Sequence, residues 1–203
     1  MDENKKCSAE PKDGRKTRKE ANKQKVIKNF LQLIEKNKSL PTAQKIAQEA
    51  GLSRRSIFRY FPNLDELIEE AYSYALKEIR ERFPPPKKPD SANDLYNDII
   101  KYVNHLSSIY EYTDSIRDAL SEKGMPPEVR KRINRMRSQT LREELIGYFA
   151  VYLPELEEDT SFIFALESSL SPEAWDYLRK MGGLSKEEAQ RAWVEMLARL
   201  LKK

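Results

Sequence analysis

Apolar residues recur three and four positions apart along almost the whole chain, and β-branched runs are missing. This pattern predicts helices throughout and an all-α fold. From about Thr17 to Lys36 one stripe carries Val26, Ile27, Phe30, Leu31 and Ile34. "PTAQKIAQEAG" then reads as a short helix capped by Thr42, packed through Ile46, Ala47 and Ala50, and ended by Gly51. Ser53 caps a third helix to about Tyr60. Asn63 caps a fourth, with Glu66 placed three residues on as in a capping box. Leu64, Leu67, Ile68, Ala71, Ala75 and Ile79 carry it to about Arg82.

"PPPKKPD", Pro84 to Asp90, cannot be helical and is the clearest break in the chain. Beyond it Leu95, Ile99, Tyr102, Val103, Leu106 and Tyr110 mark a fifth helix, and a sixth is expected from about Thr113 to Glu122. "GMPPE" precedes a long seventh, about Pro127 to Tyr152, with Ile133, Met136, Leu141, Leu145, Phe149 and Tyr152 inward. Three more are expected, at about Glu158 to Leu170, Pro172 to Met181 and Ser185 to Lys202. Residues 1–16 are polar, which predicts a disordered tail.

Charge divides the chain. Residues 1–64 carry 16 Lys and Arg against 7 Asp and Glu, and residues 65–203 carry 21 against 26. A basic front on a mildly acidic rear points to a polyanion met by the front alone. The single cysteine, Cys7, permits no disulfide or cysteine zinc cluster within one chain. No apolar run is long enough to cross a membrane, and the polar first residues do not read as a secretory signal, so a cytoplasmic protein is expected. No dinucleotide-binding glycine motif, P-loop or H-E-x-x-H is present, and nothing would activate Cys7 as a nucleophile. Neither enzymatic activity, nor a cofactor, nor a metal site is expected. The lone histidine, His105, suits a structural role or a hydrogen bond to a ligand better than a metal.

The second and third helices, joined by "AGLS", form a helix-turn-helix. In that motif the second helix lies in a DNA major groove, with its first residues at the base edges. Here it begins "SRRSIFRY". Arg54 and Arg55 occupy its first turn, and an arginine fork can bind guanine through O6 and N7. Ser56 can donate to a phosphate or a base, and Arg59, one turn after Arg55, shares its face. Phe58 and Tyr60 either touch DNA or pack against the scaffold. Ile57 and Phe61 point inward.

From about Thr17 to Glu70 the chain resembles the TetR family of bacterial transcriptional repressors. The resemblance rests on "TRKEANKQKVIKNFLQLI" and "PTAQKIAQEAGLSRRSIFRYFPNLDELI". It is weaker over "SPEAWDYLRKMGGLSKEEAQRAWVEMLARLL". It implies a DNA-binding head over 17–62, and a helical ligand-binding and dimerisation domain over 63–203 whose first helix, 63–82, couples the two. It also implies a homodimer that leaves its operator when a small effector binds. Two positions depart from the family: Phe58 stands where tyrosine is common, and Leu64 where a phosphate-binding lysine is common. Phosphate contacts would then fall to Arg18, Thr42 and Tyr60, with the first amides of the fourth helix as a further candidate.

In the rear part Tyr102, His105, Tyr110, Tyr148 and Tyr152 are the candidate ligand-binding residues, although aromatic stripes also build cores. The basic run Arg130 to Arg142 is either a solvated face or a lure for an anionic effector. "TSFIFALESSL" is apolar on more than one side, and Phe162, Leu166 and Leu170, with Trp193, Leu197 and Leu200 of the last helix, are candidates for a four-helix dimer interface. The alternative is that both helices complete the core of one subunit. These features favour a sequence-specific DNA-binding regulator, and the resemblance implies an effector-released repressor on a near-palindromic double-stranded operator. An architectural DNA-binding protein without an effector is the alternative.

Overall fold

The computed structural model describes residues 14–121 and 125–202. Of the expected disordered tail, residues 1–13, with Cys7, lie outside the described residues, and Gly14, Arg15 and Lys16 belong to the first helix. Within the described residues there is no strand, and the helices are α1 (Gly14–Asn37), α2 (Ala43–Ala50), α3 (Arg54–Tyr60), α4 (Leu64–Arg82), α5 (Leu95–Ser121), α6 (Pro127–Phe149), α7 (Thr160–Ser169), α8 (Pro172–Asp176) and α9 (Lys186–Leu200). A π-helical turn, Tyr177–Met181, prolongs α8. The fold is all-α with a helix-turn-helix head.

The caps expected from sequence are in place. Thr42 accepts from Lys45 N, Ser53 from Ser56 N and Asn63 from Glu66 N. The Asn63 cap is one-sided, whereas Ser185 and Glu188 form a complete capping box at the start of α9. Gly51 sits at φ 64°, ψ 37°, the left-handed conformation that turns the chain between α2 and α3. Gly51→Ala is expected to cost about 1–2 kcal/mol, because a Cβ disfavours that conformation; equilibrium urea unfolding would measure it.

Two differences concern helix ends. The expected fifth and sixth helices are one, α5. Thr113 Oγ1 donates to the carbonyl of Ile109 at 2.8 Å, and Arg117 binds both Tyr110 O and Thr113 Oγ1, so the expected break is bridged. The helix expected to reach Met181 leaves α-geometry after Asp176. Gly182 N there donates to Tyr177 O, and Gly183 takes φ 65°.

Two buried clusters organise the packing. One unites α1–α4 through Val26, Phe30, Ile46, Ile57, Phe61 and Leu67, and takes in Met125, just ahead of α6, and Val129 and Ile133 from its start. The other joins α5, the end of α6, α7, α8 and α9 through Tyr102, Leu145, Leu166, Trp175, Trp193 and Leu197. Helix α6 thus contributes to both interiors. Met136, expected to face inward, is exposed.

Of the residues expected at a dimer interface, Leu166, Leu170, Trp193 and Leu197 are buried within the subunit, as in the alternative that both helices complete its core. Trp193, 2% exposed, packs its ring 4.7 Å from Trp175 and 6.0 Å from Tyr110. Phe162 is half-buried, and only Leu200 of the expected set is exposed. Phe164, on the outer side of α7, is also exposed, beneath the Arg142 guanidinium at 4.1 Å.

Candidate nucleic-acid interface

Helix α3 is anchored from one side. Ile57 and the Tyr60 ring are buried in the head cluster, and Phe61 just after them is buried too. The opposite side presents Arg54, Arg55 and Arg59, all exposed. Phe58 is 38% exposed and carries the Arg54 guanidinium 5.6 Å above its ring, a cation–π contact that holds this arginine near the helix surface.

Tyr60 resolves into two parts. Its ring packs, while its hydroxyl accepts from Arg59 Nη2 and Asn22 Nδ2, both at 3.1 Å. The Arg59 hydrogen bond lowers the phenol's pKa against the opposing effect of burial. The hydroxyl hydrogen is left to donate. Asn22 therefore ties α1 to the end of α3, a role that no pattern in the sequence signals.

Ser56 lies with its Oγ 2.9 Å from Ser53 Oγ, inside the cap of α3. Thr42 is exposed at the start of α2 and Arg18 is exposed on α1. The amides at the start of α4 are a poor phosphate site. Asn63 already satisfies Glu66 N, and Asp65 and Glu66 put two carboxylates in the first turn.

Ion pairing engages about half of the rear arginines and none of those on this surface, among the described residues. Among the described residues, six of the eleven rear arginines pair with carboxylates: Arg80 with Glu144, Arg117 with Asp114 and Asp176, Arg132 with Glu69, Arg137 with Glu173, Arg142 with Glu167, and Arg179 with Glu111. Among the described residues, Arg18, Arg54, Arg55 and Arg59 pair with no carboxylate. Such guanidinium groups keep their forked donors for an external anion.

Residues 39–71, which span α2, α3 and the start of α4, match the family model of bacterial regulatory proteins of the tetR family. The chain carries a TetR-family DNA-binding head. It is a DNA-binding transcriptional regulator. No curated protein matches the sequence. No described helix is long and apolar enough to cross a membrane.

Behind the TetR-family head, a chamber of about 90 Å³ lies where α4, α5 and α6 diverge, between the two buried clusters. Its lining includes Tyr72, Ile79, Phe83, His105, Tyr110 and Glu144. Burial lowers the His105 pKa, which favours the neutral imidazole, and raises that of the Glu144 carboxyl. Of the five tyrosine and histidine candidates, His105 and Tyr110 line this chamber. Tyr110 is largely committed, since its hydroxyl donates to Leu170 O at 2.9 Å.

The other three lie outside the chamber's lining. Tyr148 donates to the carbonyl of Asp98 at 3.1 Å and Tyr152 to its carboxylate at 2.7 Å, which locks both to the start of α5. Tyr102 is sealed in the rear cluster, stacked at 4.9 Å on Tyr148. Asp114, Asp118 and Asp176 also come together, but Lys180 bonds to the first two at 2.7 Å and sits 3.7 Å from the third. A cation of the chain already serves this acidic group.

Proposed function

We propose that this regulator is a homodimeric repressor. Each subunit lays α3 in one major groove of a near-palindromic operator, and a small effector in the rear helices releases it. The observation that carries the reading is the set of exposed arginines on α1 and α3, each without a carboxylate among the described residues, with the other side of α3 fixed in the head. Arg54 and Arg55 meet base edges, and Arg59, Arg18, Thr42, Ser56 and the Tyr60 hydroxyl hold phosphates. Phe58 supports Arg54 and lies against the sugar edge.

A two-fold pair of heads about 34–36 Å apart, or a multiple of that, fits two half-sites on one face of the duplex. Phe164 and Leu200 are the apolar side chains offered to the partner. The effector acts to the extent that it prefers the conformation that cannot bind DNA. The path to the head runs through α4 and α6, both of which line the chamber and enter the head cluster.

Selection from random duplexes is expected to recover a near-palindromic site. Binding to it should weaken with salt, with a log–log slope of about −0.9 per phosphate neutralised. A flat salt response would overturn the basic-head reading. Equal affinity for all duplexes would favour the architectural alternative.

A further inference from the structure

On α6, Val129, Ile133, Arg137, Leu141, Leu145 and Phe149 succeed one another at four-residue steps along one ridge. All are buried except Arg137. Val129 and Ile133 belong to the head cluster, and Leu141, Leu145 and Phe149 to the rear cluster. A charged side chain therefore stands where the two interiors meet.

Arg137 also stands between two cavities. The inner one is the chamber of about 90 Å³. The outer one is a groove of about 520 Å³ between α6, α7 and α8, lined in part by Asn134, Arg135, Ser138, Glu167 and Ser171. Arg137 and Leu141 belong to the walls of both. The Arg137 guanidinium is held outward by Glu173, Nη2 to Oε1 at 2.5 Å. The Glu173 side chain is 64% exposed, and that of Arg137 29%. A pair so open to water contributes about 0–1 kcal/mol, so it yields at small cost.

We propose that Arg137 is the movable partition of a two-compartment effector site, which takes an amphiphile with a carboxylate head and an apolar body. This rests on the reading of the protein as an effector-controlled regulator and specifies the effector's chemistry. The inner chamber alone has room for about three waters at roughly 30 Å³ each. Ligand sites commonly enclose about 300–1,000 Å³. The groove by itself falls in that range, and movement of Arg137 adds the apolar chamber to it as a compartment for the ligand's body.

The head then takes the place of the Glu173 carboxylate on the same guanidinium fork, an exchange of like for like. Arg135, exposed and without a carboxylate partner among the described residues, adds a second positive charge at the mouth. Glu167, the other acid of the groove, is neutralised by Arg142 Nε and Nη2 at 2.9 and 2.7 Å and bonded by Ser138. The body lies along Leu141 toward Ile79, Phe83 and Leu106. Glu144 stands seven residues beyond Arg137 on α6, roughly 10 Å along the helix axis, with Arg80 3.8 Å away. That distance keeps it clear of the head.

The test is calorimetric titration of the full chain with octanoate, octylamine and octanol, alongside operator binding without any additive. Octanoate is expected to bind in preference to the other two. Glu173→Gln is expected to tighten octanoate by up to about fivefold, the factor equivalent to about 1 kcal/mol, because the competing carboxylate is gone. Arg137→Gln should erase the preference for octanoate over octanol.

No binding of octanoate, or no tightening in Glu173→Gln, overturns the proposal. So does preferential binding of octylamine that is lost in Glu144→Gln, which would assign the chamber to cations. In each of these cases, operator binding by the unmodified protein leaves the regulator reading intact. Failure to bind any selected duplex would sink that reading separately.

Discussion

Replacing Arg54 and Arg55 together with alanine is expected to remove selective operator binding while the head stays folded. Each bidentate arginine–guanine contact discriminates by about 1–3 kcal/mol. The pair is then expected to cost about 2–6 kcal/mol on the selected site, at least a thirtyfold loss at about 1.4 kcal/mol per factor of ten. The fold should survive, because both side chains are exposed and pair with no carboxylate among the described residues, and the helix keeps its Ser53 cap and its buried Ile57. Fluorescence anisotropy on the selected operator and on a scrambled duplex would measure the effect, with circular dichroism as the check on folding. A loss of the same size on both duplexes would mean that these arginines only grip phosphate. Unchanged binding would remove α3 as the reading helix.

Trp193→Ala is expected to cost about 3–5 kcal/mol of stability, the range for deleting a large buried aromatic side chain. The indole is wedged between Trp175 and Tyr110 in the rear cluster, so its removal leaves a cavity there. The urea midpoint should fall accordingly. The folded fraction should keep the sedimentation coefficient of the unmodified protein, since Trp193 faces its own subunit. Phe164→Asp with Leu200→Asp is the change expected to lower that coefficient. Dissociation caused by Trp193→Ala with an unaltered midpoint would reverse the assignment of core and interface.

Local chemistry was legible in the sequence. Thr42, Ser53 and Asn63 each occupy the cap their hydroxyl or amide suggested, because capping is decided within three residues. Gly51 at the turn and the outward arginines of α3 follow from the same short range. What required three dimensions was the partner of each apolar face. The stripe on α9 reads the same whether Trp193 meets Trp175 in its own chain or a copy of itself. The tyrosines of α5 and α6 share one pattern, yet Tyr110 borders the chamber while Tyr148 and Tyr152 close on Asp98. That outcome depends on where the helices cross, which no spacing records. The continuity of α5 was hidden for another reason: Thr113 reads as the start of a new helix until its bond to Ile109 and those of Arg117 to Tyr110 and Thr113 are seen.

Because α6 enters both interiors, its two ends are held by packing while its middle is lined with small and polar side chains around open space. Substitutions at Asn134, Arg137, Ser138 or Thr140 alter neither interior nor the surface of α3. On the effector-controlled reading proposed above, descendants of this chain can therefore change the chemical signal they answer to while continuing to address the same stretch of genome.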